Sequence, residues 1–86
     1  MGRYNLLIKP SAVKEIEGIG QKKDRQRVIQ RIQSLADEPR PYGCEKLSHH
    51  ELYRVRQGLY RIIYAVDDQL GTILVVKVGH RRDVYR

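Results

Sequence analysis

The C-terminal segment VGHRRDVYR carries several side chains that can act on a phosphodiester. His80 supplies an imidazole, a side chain that can accept or donate a proton. Arg81 and Arg82 supply guanidinium groups, each of which can pair two phosphate oxygens. Tyr85 adds a phenol within the same six residues. The segment follows a predicted strand, at whose end a loop can present these groups for proton transfer and charge stabilisation.

Three further arginines lie in a predicted β-hairpin. Arg54 and Arg56 precede the turn signal Gln57-Gly58, and Arg61 follows it. A loop of two or four residues places Arg54 directly opposite Arg61, whereas a loop of three shifts the register. With the even loop, strand alternation puts the three arginines on one face of the sheet. The opposite, core face then consists of Tyr53, Val55, Tyr60, Ile62, Tyr64 and Val66.

An anionic ligand would explain the arginine-bearing face, because like charges directly opposite each other destabilise a sheet. The alternative is that the arginines extend over apolar neighbours on a solvent-facing sheet. If residues 72–79 pair with 59–66 through a four-residue turn, Val78 lies opposite Arg61 and His80 joins the arginines. RNA cleavage by attack of the 2′-hydroxyl needs a proton acceptor, a proton donor and positive charge. The resulting basic concavity would supply all three, and this chemistry requires no metal.

The elements that position these residues are predicted in the order β-α-α-β-β-β. Pro10 ends an apolar first strand, and Ser11 is expected to cap a first helix. An i, i+3, i+4, i+7 apolar stripe predicts a longer helix over residues 21–37. Its basic face is more typical of a solvated face than of a binding site, and we assign it no specific function. The predicted strands are residues 4–8, 52–56, 59–66 and 72–79. We therefore predict an α+β fold, a small antiparallel-rich sheet with a helical hairpin packed on one face.

Composition limits the class of protein. A chain of 86 residues indicates one domain, spanning residues 1–86. Apolar residues at 41% and charged residues at 31% are typical of globular proteins and exclude disordered and collagen-like chains. Seventeen Lys and Arg against ten Asp and Glu give a net charge of +7, which indicates a polyanionic or acidic partner.

Cysteine usage and the chain ends indicate a cytoplasmic location. Cys44 is the single cysteine and cannot form an internal disulfide, which favours a reducing compartment. The N-terminal apolar run is too short for a signal peptide, and no apolar stretch approaches the length of a membrane helix. Cys44, His49 and His50 lack the spacing of a zinc site, so we expect no metal and no cofactor.

The stretch LYRVRQGLYRIIYAVDDQ, followed by VVKVGHRRDVYR, resembles the RelE branch of the RelE/ParE toxin superfamily. LIKPSAVKEI is similar to the family's first strand and helix, and KLSHHELYRVR to its approach to the sheet. The resemblance implies a sheet covered on one side by a helical hairpin. It also implies a toxin of a toxin–antitoxin pair that cleaves mRNA in the ribosomal A site, with ribosomal RNA as a contact and an acidic, RelB-like antitoxin as partner.

The resemblance also implies roles for individual residues. Arg54 and Arg56 match basic residues that bind the RNA backbone, and Arg82 is a further RNA-binding candidate. The catalytic set implied by the family is Arg61, His80, Arg81 and Tyr85. In this set Arg61 and Arg81 stabilise charge, His80 transfers a proton and Tyr85 orients or stacks the nucleotide. Which group acts as the base stays open.

Many relatives continue past the matching tyrosine into a C-terminal helix that the antitoxin displaces, whereas this sequence stops at Arg86. We therefore expect inhibition by direct occlusion or by neutralisation of the basic face. Two other functions are compatible with the pattern. A ParE-like chain would inhibit DNA gyrase, and a non-catalytic module would bind RNA without cleaving it.

Overall fold

The computed structural model describes residues 3–47 and 51–83. His49, His50 and Tyr85 lie outside the described residues. The elements are β1 (Asn5–Ile8), α1 (Pro10–Glu17), α2 (Lys22–Leu35), β2 (Glu45–Lys46), β3 (Leu52–Gln57), β4 (Tyr60–Asp67) and β5 (Thr72–His80). The predicted helices and long strands are all present, whereas β2 was not predicted. Within the described ranges, no helix is long and apolar enough to span a membrane.

The strands form one five-stranded sheet in the order β1-β5-β4-β3-β2. β1 pairs with β5 in parallel, and the other three pairings are antiparallel. α1 packs against β5, and α2 packs against β3 and β4. The two helices therefore cover one face of an open, antiparallel-rich sheet, and the predicted α+β fold is confirmed.

The core lies between the helices and the covered face of the sheet. Its fully buried helical side chains are Ala12, Val28, Ile32 and Leu35, and those of the sheet are Val55, Ile62, Tyr64, Ile73, Val75 and Val78. The Tyr64 hydroxyl donates to the Pro39 carbonyl at 2.8 Å, which satisfies the one polar atom of this ring and ties the loop after α2 to β4. Burial of this stripe explains why the charged α2 is a stable helix.

The start of α1 differs from the prediction. The helix begins at Pro10, and Lys9 occupies the N-cap position without a side-chain capping bond. Ser11 therefore lies inside the first turn and is not the cap. Proline is well suited to the first helical position, because its missing N–H would have no partner within the helix.

The β3–β4 hairpin turns through a two-residue loop at Gly58 and Leu59. Gly58 has φ +61°, in the left-handed region where glycine meets no steric penalty. Arg56 pairs with Arg61, and Arg54 pairs with Ile63. The predicted pairing of Arg54 with Arg61 is therefore wrong by two residues. Because a shift of two preserves strand alternation, all three arginines still lie on the uncovered face of the sheet.

The β4–β5 pairing contains a β-bulge. Tyr64 pairs with Val75, but the preceding Ile63 pairs with Lys77, which leaves Val76 as the extra residue. Up to the bulge the register is the one predicted from the four-residue turn. Beyond it, the register is shifted by one residue, and a shift of one moves every side chain to the other face.

The bulge overturns the predicted position of His80. Gly79, not Val78, pairs with Arg61, and His80 pairs with Tyr60. Val78 is 2% exposed within the core. His80 follows Val78 by two residues and so lies on the helix-covered side of the sheet, away from the arginines.

Candidate functional site

Four arginines meet at one end of the uncovered sheet face, and we call them the arginine cluster: Arg54, Arg56, Arg61 and Arg81. The hairpin positions the first three. Arg81 follows β5, and its backbone N–H donates to the Leu59 carbonyl at 2.7 Å, which fixes the end of β5 to the hairpin loop. Sequence reasoning predicted all four members, and the structure brings them together.

Arg61 is the central cation of the cluster. Partial burial lowers the pKa of its guanidinium, and the charges of Arg56, Arg54 and Arg81 lower it further. One of its terminal nitrogens donates to the carbonyls of Gly58 at 3.2 Å and Tyr60 at 3.0 Å, so the hairpin turn orients the side chain. A lowered arginine pKa means that the positive charge is incompletely compensated. An anion bound at this position would remove the repulsion.

Glu45 places one carboxylate beside the arginine cluster. It pairs with Arg54 across β2 and β3, and its Oε1 accepts from Arg54 Nη2 at 2.6 Å and lies 4.0 Å from Arg56 Nη2. The hydrogen bond from Arg54 lowers the pKa of Glu45, and the charges of Arg54, Arg56 and Arg61 act in the same direction. This carboxylate is therefore ionised at neutral pH.

Sequence reasoning missed Glu45 because the two residues of β2 are too few to form a periodic pattern. One signal was available in the sequence. Glu45 and Glu51 both lie in the segment that leads into an arginine-rich hairpin, and a short edge strand there would bring a carboxylate and the arginines together.

His80 is separated from the arginine cluster by the sheet. Its ring meets the Tyr60 ring edge-on, with centroids 5.8 Å apart and an interplanar angle of 83°. Its Nδ1 accepts from the Arg82 backbone N–H at 3.2 Å, so the neutral ring carries its proton on Nε2. Around it lies a groove of about 330 Å³ lined also by Glu15, Ile19 and Asp83. The predicted juxtaposition of His80 with the arginines is therefore wrong.

Two further residues, Arg82 and Tyr85, were predicted to belong to the site. Arg82 lies on the exposed turn that follows β5. Tyr85 lies outside the described residues, so its predicted position beside the arginines stays a prediction.

Comparison with known proteins identifies the family of this chain and supports its fold. The sequence model of ParE toxins of type II toxin–antitoxin systems (parDE) matches residues 6–85, nearly the whole chain. The chain belongs to the ParE toxin family of the RelE/ParE superfamily. A curated relative, toxin RelG of Mycobacterium tuberculosis, is 41% identical over 34 residues, which are 40% of this chain and 39% of RelG. The chain thus matches less than half the length of that relative.

Solved structures of RelE proteins share the fold of this ParE-family toxin. The archaeal RelE–RelB complex from Pyrococcus horikoshii OT3 superposes with a TM-score of 0.82 and 28% identity, covering 95% of this chain and 99% of the matched chain. The RelBE2 toxin–antitoxin complex of Mycobacterium tuberculosis superposes with a TM-score of 0.80 and 22% identity, covering 92% and 99%. Both relatives were crystallised with an antitoxin, and the match at 22% identity concerns the fold alone.

Proposed function

We propose that this toxin is a ribosome-dependent endoribonuclease that cleaves mRNA in the A site and so inhibits translation. The observation that carries the proposal is the convergence of four arginines on an uncovered sheet face around one ionised carboxylate. The reaction is attack of a 2′-hydroxyl on the adjacent 3′-phosphate, which leaves a cyclic phosphate and a free 5′-hydroxyl. This reaction does not need a metal ion, because arginines can stabilise the developing charge.

Each member of the site has a role in this reaction. Arg54 and Arg56 bind the RNA backbone, and Arg61 and Arg81 stabilise the doubly charged, phosphorane-like transition state. Glu45 accepts the proton of the attacking 2′-hydroxyl, a role for which the sequence analysis left the residue open. The leaving 5′-oxygen takes a proton from solvent, which reaches the uncovered face freely. Tyr85 keeps its proposed role of orienting the nucleotide, and Arg82 that of a further phosphate contact.

The proposed partner is an acidic antitoxin of the RelB type. The archaeal relative forms a complex with RelB. A net charge of +7 and an uncovered basic face favour an acidic polypeptide that occupies the same surface as RNA. Direct occlusion of the arginine cluster would then inhibit the toxin.

Inhibition of DNA gyrase is the second candidate function. The family model that matches this chain is that of ParE toxins. The resemblance to ParE implies inhibition of DNA gyrase. The cluster of four arginines with a carboxylate favours RNA cleavage, because a site that only blocks an enzyme has no need of a proton acceptor.

One experiment on the purified chain separates these functions. The purified toxin is added to a defined message, either on translating ribosomes or without ribosomes. New 5′ ends on the message are then mapped in both samples. A parallel assay measures supercoiling by purified gyrase. We expect cuts in phase with codons, bearing 5′-hydroxyl and cyclic phosphate ends, only when ribosomes are present. Inhibition of supercoiling without new 5′ ends would show that the protein is a gyrase inhibitor. RNA binding without either effect would show that it is a non-catalytic binding module.

The pH dependence of cleavage distinguishes Glu45 from His80 as the proton acceptor. Because Arg54 lowers the pKa of Glu45 below its ordinary value of 4.5, its carboxylate stays ionised at pH 5.5. Single-turnover cleavage is therefore expected to be nearly constant between about pH 7.5 and 5.5. If a histidine side chain were the acceptor, the cleavage rate would fall about tenfold over this interval, because the reference pKa of an imidazole is about 6.5.

The matched variant for this measurement is His80→Gln, which keeps a polar side chain on the covered face. We expect its pH profile to follow that of the parent chain. A tenfold loss of cleavage rate at acid pH in the parent chain that disappears in His80→Gln would instead assign the acceptor role to His80.

A further inference from the structure

The edge of β5 is covered by two different elements along its length. β1 pairs with it as far as Val75, where the Lys9 N–H donates to the Val75 carbonyl at 2.9 Å. Beyond Val75 the chain has turned into α1. A side chain of that helix, Glu15, then accepts the backbone N–H of Val78 through Oε1 at 2.9 Å. A helical carboxylate thus continues the hydrogen bonding that the strand begins.

Glu15 contacts the strand immediately after its bulge. Val76 is the extra residue, and Lys77 is the first residue in the shifted register. The second carboxylate oxygen of Glu15, Oε2, lies 3.7 Å from Lys77 Nζ. One side chain therefore bonds to two consecutive residues, Lys77 and Val78, at the point where the register changes.

The bond to Val78 satisfies a donor that has little access to water. Val78 is 2% exposed and packs in the core opposite Ile62. A backbone N–H at such a position needs a partner, because an unpaired buried donor carries the full cost of its desolvation. In the bulged register this partner is Glu15.

Without the bulge, β5 would present different residues to the arginine cluster. If β5 continued without the bulge, Val78 would pair with Arg61 and leave the core, since a shift of one residue reverses the faces. His80 would then lie on the uncovered face, and Arg81 would turn toward the helices. The bulge therefore decides whether an arginine or a histidine completes the cluster around Arg61.

We propose that Glu15 is a positioning residue that holds β5 in the bulged register and thereby places Arg81 in the arginine cluster. It touches neither RNA nor the reacting atoms, and it acts through Val78 and Lys77. Its effect on cleavage rests on the proposed function, whereas its effect on register does not.

The test measures register and cleavage on the same samples. Cross-strand NOEs in NMR spectra report whether Arg61 faces Gly79 or Val78, and hydrogen exchange reports protection of the Val78 amide. In Glu15→Ala we expect the Arg61–Gly79 contact to weaken, the Val78 amide to exchange faster, and cleavage to fall by about tenfold, as for loss of one charge-assisted hydrogen bond.

Glu15→Gln is the decisive companion, because an amide oxygen can still accept the Val78 N–H although the charge is lost. We expect it to retain both register and cleavage. Glu17→Ala removes an exposed carboxylate from the same helix and should resemble the parent chain. If Glu15→Ala does not fold, Glu15→Asp supplies the test. The shorter side chain keeps the negative charge but moves the carboxylate out of reach of the Val78 N–H.

The results separate the two proposals. An unchanged Arg61–Gly79 contact and a slowly exchanging Val78 amide in a folded Glu15→Ala or Glu15→Asp variant would overturn the positioning role, whatever the cleavage rate. If the parent chain itself cleaves no message, the proposed function fails, and the NMR measurements still decide the role of Glu15.

Discussion

Arg61→Ala and Arg81→Ala are each expected to lower cleavage of a ribosome-bound message by about 10²- to 10³-fold, the usual effect of removing one group that stabilises transition-state charge. Growth arrest on induction in a bacterial cell should be lost in both variants. The physical reason is that, in the proposed reaction, these two guanidiniums stabilise the charge that develops in the transition state. Removal of either also relieves repulsion within the cluster, so neither variant should unfold.

Two further variants control for charge and for shape. Arg3→Ala removes one positive charge beside β1, at the opposite edge of the sheet from β2, and should leave cleavage unchanged. Arg61→Lys keeps the charge but loses the two-pronged geometry, and we expect an intermediate rate. Single-turnover rates and circular dichroism measure these effects. Full cleavage by a folded Arg61→Ala or Arg81→Ala chain would contradict the assignment of the cluster.

Glu45→Gln is expected to lower the cleavage rate by about 10²- to 10⁴-fold, the contribution of a general base. The amide cannot take the proton of the 2′-hydroxyl. The same change leaves the neighbouring arginines without their carboxylate, so RNA affinity should rise while cleavage falls. Rates at saturating protein and filter-binding titrations distinguish the two effects, because a purely electrostatic role of Glu45 would alter affinity alone.

The matched control is Glu51→Gln, which makes the same chemical change in a carboxylate that pairs with Lys46 outside the cluster. We expect it to cleave at the parent rate. Retention of a normal rate by Glu45→Gln would exclude this carboxylate as the proton acceptor.

The element types and the arginine-bearing face were predictable from the sequence because both depend on periodicity. The apolar stripe of α2 has the helical period, and the alternation of β3 and β4 has a period of two. An error of two residues in the hairpin register therefore left Arg54, Arg56 and Arg61 on the correct face. The convergence of Arg81 with them was implied by the family resemblance, not by the predicted register.

The bulge and β2 were not predictable in the same way. A bulge adds one residue without a distinctive residue type, and Val76 reads as an ordinary strand residue. It becomes visible only when the core must accept both Val75 and Val78, three positions apart. β2 depends on tertiary contact with β3, and Glu45 was missed with it.

The extra residue at Val76 makes the two faces at the end of β5 sensitive to the length of the strand. Deletion of a single codon from the middle of β5 would exchange the faces on which its last residues lie. His80 would move to the uncovered face and Arg81 to the helix-covered face, although neither residue is itself changed. Insertions and deletions are usually tolerated in loops, but here one inside a strand would change the reactive group. A chain from which Val76 is deleted is therefore expected to place His80, and not Arg81, beside Arg61.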